Sequence, residues 1–191
     1  MSTKTLAPIF SALWSACLYA APVETLTQTC AQCHGETGVS TKAKIPHLNG
    51  QLSDYLEEDI RRIANGTRAS TVPDHIPKSW TGEEVMAVAD FYAASLGPRP
   101  AQTTDAAQVT RGAVWYKKRC ADCHPDSGRE SKRDAPLMAA QNLEYMKEQT
   151  RAFVSGKRKF VFLMDDAFKG LSAADLDGVA HYFASQEQFK K

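Results

Sequence analysis

Two short stretches carry the chemistry of this chain, CAQCH at 30–34 and CADCH at 120–124. Cysteines at i and i+3 stand one helical turn apart on one face, and a histidine follows the second directly. Two thiols so placed can each form a thioether with a vinyl group of one haem, and the adjacent imidazole can reach its iron. Cys30, Cys33 and His34 are therefore read as holding one covalently bound haem c, and Cys120, Cys123 and His124 a second. A single motif of this kind also suits a redox dithiol or half a zinc site. Two copies at matched places weigh against both alternatives.

The opposite side of each iron decides what such a haem does. In the second half Met164 lies before the last helical segment, where a loop can offer its thioether; ligation there raises the potential and closes the site. The matching place in the first half is Pro73, which cannot ligate. Two residues on, in VPDHIP, stands His75, in a proline-flanked segment expected to be stiff and extended. His75 is the first candidate for the vacant position. His47, in IPHLNGQ, and Met86, inside a helix, are weaker ones, and an open five-coordinate iron is the remaining alternative.

The elements that must position these groups repeat. CAQCHGETG matches CADCHPDSG; HLNGQLSDYLEEDIRRIANGTR matches LMAAQNLEYMKEQTRAFVSGKR; WTGEEVMAVADFYAAS matches LSAADLDGVAHYFASQ. A period near ninety residues and two copies point to duplicated domains rather than a solenoid. Within each copy the apolar residues recur at helical spacing, as Leu52, Tyr55, Leu56, Ile60 and Ile63 do, and no alternating strand pattern persists. Thr81 with Glu84, and Ser172 with Asp175, are capping-box pairs that should open the last helix of each copy. The fold class expected is all-α: two tandem class I cytochrome c domains at 21–98 and 109–191, joined by a linker at 99–108. Each has few residues for a protein core, a shortage that a large apolar prosthetic group remedies.

Other residues read structurally. Met138 and Met146 stand where the first copy has Leu48 and Leu56, so they are expected in the core. Trp115 and Tyr116 should pack against Tyr182 and Phe183. His181 and most of Lys117, Lys118, Arg119, Lys157, Arg158 and Lys159 are expected at the surface.

Composition sets the outer limits. The 191 residues carry a formal net charge of +1. Residues 22–100 hold seven basic and ten acidic residues, and 101–191 hold fifteen and twelve, a polarity that can orient a partner. No basic run is interleaved with aromatics, so nucleic acid is not an expected partner. The opening MSTKTLAPIFSALWSACLYAAPVE has one lysine, an apolar run and small residues, which reads as a secretory signal peptide over 1–20. A membrane anchor, or a lipoprotein cysteine at Cys17, is the alternative. Cleavage leaves four cysteines, all within the two motifs, no membrane span, and a periplasmic location.

The two CxxCH motifs, the segments IPHLNGQ and APLMAAQ (Pro-x-Leu-x-x-Gln, with Met138 for the leucine) and the aromatic terminal helices resemble the cytochrome c4 family. RGAVWYKKRCADCH at 111–124 and the AST stretch at 69–71 are more similar still to the small dihaem subunit of flavocytochrome c sulfide dehydrogenases. That resemblance implies an electron-transfer chain without a catalytic site of its own. It also implies a heterodimeric partner, an FAD-containing subunit that oxidises sulfide, and a soluble electron acceptor. The family pattern is His/Met at both irons, from which Pro73 departs. Haem two, with His124 and Met164, is expected at the higher potential, and haem one, with His34 and His75, at the lower. A free c4-type shuttle to a terminal oxidase is the nearest alternative. An enzyme or sensor with an open iron in the first half is a more distant one, unsupported by any acid, base or nucleophile constellation.

Overall fold

The computed structural model describes residues 21–160 and 164–189; the expected signal peptide lies outside them. Among these residues the chain is helical and contains no strand. The first half comprises α1 (Val23–His34), α2 (Ser53–Ala64) and α3 (Gly82–Ala94). The second comprises α4 (Ala106–Trp115), a π-helical turn at Tyr116–Cys120, the single turn α5 (Pro125–Gly128), α6 (Leu143–Val154), α7 (Met164–Phe168) and α8 (Ala173–Ala184). Residues 106–108 of the expected linker are thus already helical. No described helix is long and apolar enough to cross a membrane.

The last helix of each half is the hub. In the first half α3 packs against both α1 and α2; in the second α8 packs against α4 and α6. Both hubs begin at the expected capping boxes. The Glu84 N–H donates to Thr81 Oγ1 at 3.2 Å and the Thr81 N–H to Glu84 Oε2 at 2.7 Å. The Asp175 N–H donates to Ser172 Oγ at 3.2 Å and the Ser172 N–H to Asp175 Oδ2 at 3.0 Å. Each pair satisfies helix-end donors that would otherwise be orphaned.

The repeat is visible in the two cores. Leu26, Leu56, Ala89 and Tyr92 form one core with Val88; Tyr116, Met146, Ala180 and Phe183 stand at the matching places in the other, with Ala184. Cys30 lies against the first core and Cys120 against the second, so each attachment motif is anchored where its half is best packed. Tyr116 meets Tyr182 at 4.7 Å and Phe183 at 5.6 Å between ring centroids, and Met138 packs beside them. His181 departs from expectation: it is buried, because α8 turns it toward the chain entering α4, where its Nδ1 accepts the Asp105 N–H at 3.1 Å.

A polar seam joins the halves, and it repeats a motif. Gln51 reaches Leu137: its Nε2 donates to the Leu137 carbonyl at 3.0 Å and its Oε1 accepts the Leu137 N–H at 2.9 Å. Gln141 reaches the matching residue, His47, with bonds of 2.9 and 2.8 Å. These are the two glutamines of the Pro-x-Leu-x-x-Gln segments. Arg99 lies buried across the same seam and donates to Asn49 Oδ1, the Asn49 carbonyl and the Ala139 carbonyl. Burial lowers it to about 10, still far above neutrality, so the cation is held by neutral oxygens alone.

Gly112 on α4 faces Gly178 on α8 so closely that a Cβ at 112 would lie 2.0 Å from the Gly178 carbonyl oxygen. Backbone cannot yield as a flexible side chain does. Gly112→Ala is expected to destabilise the second half by about 2–3 kcal/mol in thermal or denaturant unfolding. A change within about 0.5 kcal/mol, as at ordinary surface positions, would contradict this packing.

Candidate functional site

Each CxxCH segment closes the helical stretch that precedes it. Helix α1 runs without interruption through Cys30 and Cys33 to His34. In the second half α4 passes through the π-turn Tyr116–Cys120, and the chain then turns at Cys123 and His124. Single π-turns widen a helix locally and recur at functional sites. The four thiols stand free. Burial raises Cys30 above the ordinary thiol range and Cys120 to about 11. A redox dithiol needs the opposite, a thiol lowered toward neutrality. Neither Cys30 nor Cys120 is lowered in that way.

Both motif histidines are oriented in the same way. His34 Nδ1 donates to the Pro46 carbonyl at 2.9 Å, and His124 Nδ1 to the Pro136 carbonyl at 2.8 Å. A ring whose Nδ1 donates to a carbonyl presents Nε2 with its lone pair to a metal. Burial, the leading cause, lowers both histidines, so both are neutral and able to ligate.

The candidate distal residues of the two halves differ. His75 is parallel to His34 within 5°, with ring centroids 6.1 Å apart. His75 Nδ1 is hydrogen-bonded to Ser70 Oγ at 3.0 Å, which leaves Nε2 as the nitrogen that could ligate. Burial and, secondarily, the charge of Arg68 lower its affinity for a proton. The segment around it is not extended as expected. It turns sharply, with Asp74 at φ +46°, a conformation that aspartate tolerates better than most residues. Ser70 Oγ also accepts the Val72 N–H at 3.0 Å, which tightens the loop.

Met164 also differs from expectation, for it opens the short helix α7 rather than lying in an extended loop. Three rings fix the chain on either side of it: Phe153, Phe160 and Phe168, with centroids 4.8 to 5.9 Å apart. Nothing in the periodicity of the sequence marked this cluster, though phenylalanines flanking Met164 were its available signal.

The weaker distal candidates are occupied elsewhere. Met86 is 47 % exposed. His47 is buried beside Pro46, the residue whose carbonyl holds the back of the His34 ring. Its Nδ1 accepts the Ser40 N–H at 3.0 Å, and its backbone pairs with Gln141. The residues present therefore fit two haem c groups by donor chemistry: paired thiols, neutral imidazoles with Nε2 available and, in the first half, a second imidazole beside His34.

Comparison with known proteins bears on the fold and on the chain's relatives. Residues 18–91 match the family model described as "Cytochrome C oxidase, cbb3-type, subunit III". The chain is similar to a thiosulfate dehydrogenase electron acceptor of Thiomonas intermedia, with 29 % identity over 97 % of this chain and 90 % of the relative. It is similar to the cytochrome subunit of sulfide dehydrogenase of Chlorobaculum tepidum, with 38 % identity over 36 % of this chain and 62 % of the relative. Among solved structures, reduced recombinant cytochrome c4 from Pseudomonas stutzeri superimposes with a TM-score of 0.72 at 19 % identity, covering 86 % of this chain and 96 % of the other. The fold is that of tandem cytochrome c domains, all-α as the repeat implied; the c4 structure and the sulfide dehydrogenase subunit are relatives that the motifs resembled, and the thiosulfate dehydrogenase electron acceptor is one to which they did not point.

His47 supplies a pH test. Burial, first, and the Arg99 charge, second, lower it to about 4, against 6.5 for a free imidazole. The unfolded chain takes up a proton near 6.5, whereas the folded one resists until about 4. Stability from this residue is therefore complete above 6.5 and is lost as pH falls toward 4, by about 3 kcal/mol. Denaturant unfolding from pH 7 to 4 should show a flatter limb for His47→Leu, which installs the residue of the matching place 137. Equal slopes would contradict the assignment.

Proposed function

We propose that the chain is an exported dihaem c-type cytochrome that accepts electrons from a dehydrogenase of reduced inorganic sulfur compounds. The observation that carries this reading is the pairing of two CxxCH motifs on a tandem cytochrome fold, each with its histidine held Nε2-outward by a proline carbonyl. Relatives named for sulfide and thiosulfate oxidation support the substrate class of the partner. A periplasmic location follows from the leader-like opening, and an FAD-containing subunit is the partner that the motif resemblance favours.

In this reading Cys30 and Cys33 hold the first haem, and Cys120 and Cys123 the second. His34 and His124 are proximal ligands, His75 is the distal ligand of the first, and Met164 that of the second. Bound haem supplies one-electron transfer without making or breaking a bond at the protein. What the chain supplies is placement. The Pro46 and Pro136 carbonyls fix the proximal rings, and the packed cores beside Cys30 and Cys120 anchor the attachment motifs. The loop 68–76 and the phenylalanine cluster hold the distal groups. Imidazole opposite imidazole gives the first site a lower potential than thioether opposite imidazole gives the second.

The full-length chain, produced with c-type haem maturation, should carry two covalent haems by pyridine haemochrome, and Cys120→Ser/Cys123→Ser one. Affinity capture of the tagged chain from its own periplasm should retain a flavin-containing subunit, and sulfide should then reduce both haems. Capture of the chain alone, reducible only by added chemical reductants, would favour the free shuttle instead.

A further inference from the structure

The two distal segments are secured by different means, and the difference crosses the seam. Arg68 follows α2 and leads into the segment that carries His75. Its guanidinium, largely buried, pairs with the buried Asp59 carboxylate and donates through Nη2 to the Tyr145 hydroxyl at 2.8 Å. Tyr145 belongs to α6, in the other half. Two residues beyond Arg68, Ser70 Oγ engages His75 Nδ1 and the Val72 N–H. An open cleft of about 460 Å³, lined by Ile63, Asn65, Arg68, Ser70, His75 and Lys78 among others, borders this segment. Ile76, next to His75, is buried, and on the cleft side the tethers at Arg68 and Ser70 hold the segment.

The second half has the mirror-image residues in a weaker arrangement. Arg158 donates to Gln149, which stands at the place of Asp59, at 2.7 Å, and to the Tyr55 hydroxyl of the first half at only 3.5 Å. The neutral Gln149 offers no ion pair, and the guanidinium stacks on Phe153 at 4.5 Å. Phe153, Phe160 and Phe168 secure the chain around Met164 from within its own half.

We propose that Tyr145, a residue of the second half, positions His75 in the first half through Arg68, so that the distal side of haem one is set across the seam and that of haem two within its own half. The inference rests on His75 as the distal ligand of haem one. Tyr145 is a positioning residue, since its hydroxyl acts on His75 only through Arg68. The hydroxyl lost in Tyr145→Phe accepts from a charged guanidinium, which makes it a costly bond to lose. The ring and its packing remain.

The test uses the haem-loaded full chain with Tyr145→Phe, Tyr55→Phe, His75→Ala and the double variant Tyr145→Phe/His75→Ala. Two readouts are taken: amide hydrogen exchange over residues 66–76, and the rate of cyanide binding to the ferric protein. Tyr145→Phe should speed exchange over 66–76 and one phase of cyanide binding by on the order of tenfold. It should add nothing to the cyanide rate once His75 is alanine, and Tyr55→Phe should change neither readout at residues 66–76 nor that phase. Unchanged exchange at 66–76 in Tyr145→Phe, or an equal response to Tyr55→Phe, overturns the proposal. If His75→Ala itself leaves cyanide binding as it was, the ligand assignment fails. Exchange over 66–76 in Tyr145→Phe then decides the tether alone, faster exchange supporting it and unchanged exchange sinking it.

Discussion

The bond from each motif histidine to a proline carbonyl is the constraint on which the rest depends. Pro46 holds His34, and Pro136 holds His124. The next residue after each proline, His47 or Leu137, exchanges two backbone bonds with a glutamine of the opposite half. One residue thus separates the group that aims each imidazole from the seam that joins the domains. A shift at the seam is transmitted to both imidazoles, and the two sites are held in one frame. The buried Arg99, donating to carbonyls on both sides, stiffens that frame with a cation too well satisfied to leave it.

Around this shared frame the halves have diverged in their distal supports. Where the second half closes its segment with three phenylalanines, the first uses an ion pair, a serine and a tyrosine from its neighbour. Apolar packing holds a thioether well because neither needs hydrogen bonds. An imidazole ligand needs its other nitrogen satisfied and its ring plane fixed, and Ser70 supplies both. With His75 as the distal ligand, as proposed, the polar loop that carries it is tied through Arg68 to Tyr145, beyond its own domain.

Much of this was legible in the sequence because it rests on local chemistry. CxxCH spacing, the capping boxes and the helical period depend on residues a few places apart, and the structure has them where the pattern put them. The repeat also forecast the matched cores, since Leu56 and Met146 or Tyr92 and Phe183 are interchangeable apolar volumes. What it did not forecast came from long-range partners. His181 read as a surface residue because its place in the first copy is Asp90; Asp105, seventy-six residues away, is what buries its ring. VPDHIP read as extended because prolines favour that, but Ser70 and the left-handed Asp74 fold it into a turn. The seam was invisible for the same reason. Gln51 and Gln141 were recognisable as a motif, yet nothing in either copy says that each serves the other half.

The central claim is that His34 and His75 are the axial pair of one iron, and the electron paramagnetic resonance spectrum of the ferric haem-loaded protein tests it most directly. The account predicts two low-spin species and no high-spin iron. One of them should have the rhombic pattern of near-parallel imidazole planes, as the 5° angle between the rings requires. That signal should be lost in His75→Ala while the other, from the methionine-ligated site, stays. High-spin iron in the unmodified protein, or an unchanged spectrum in His75→Ala, would contradict it.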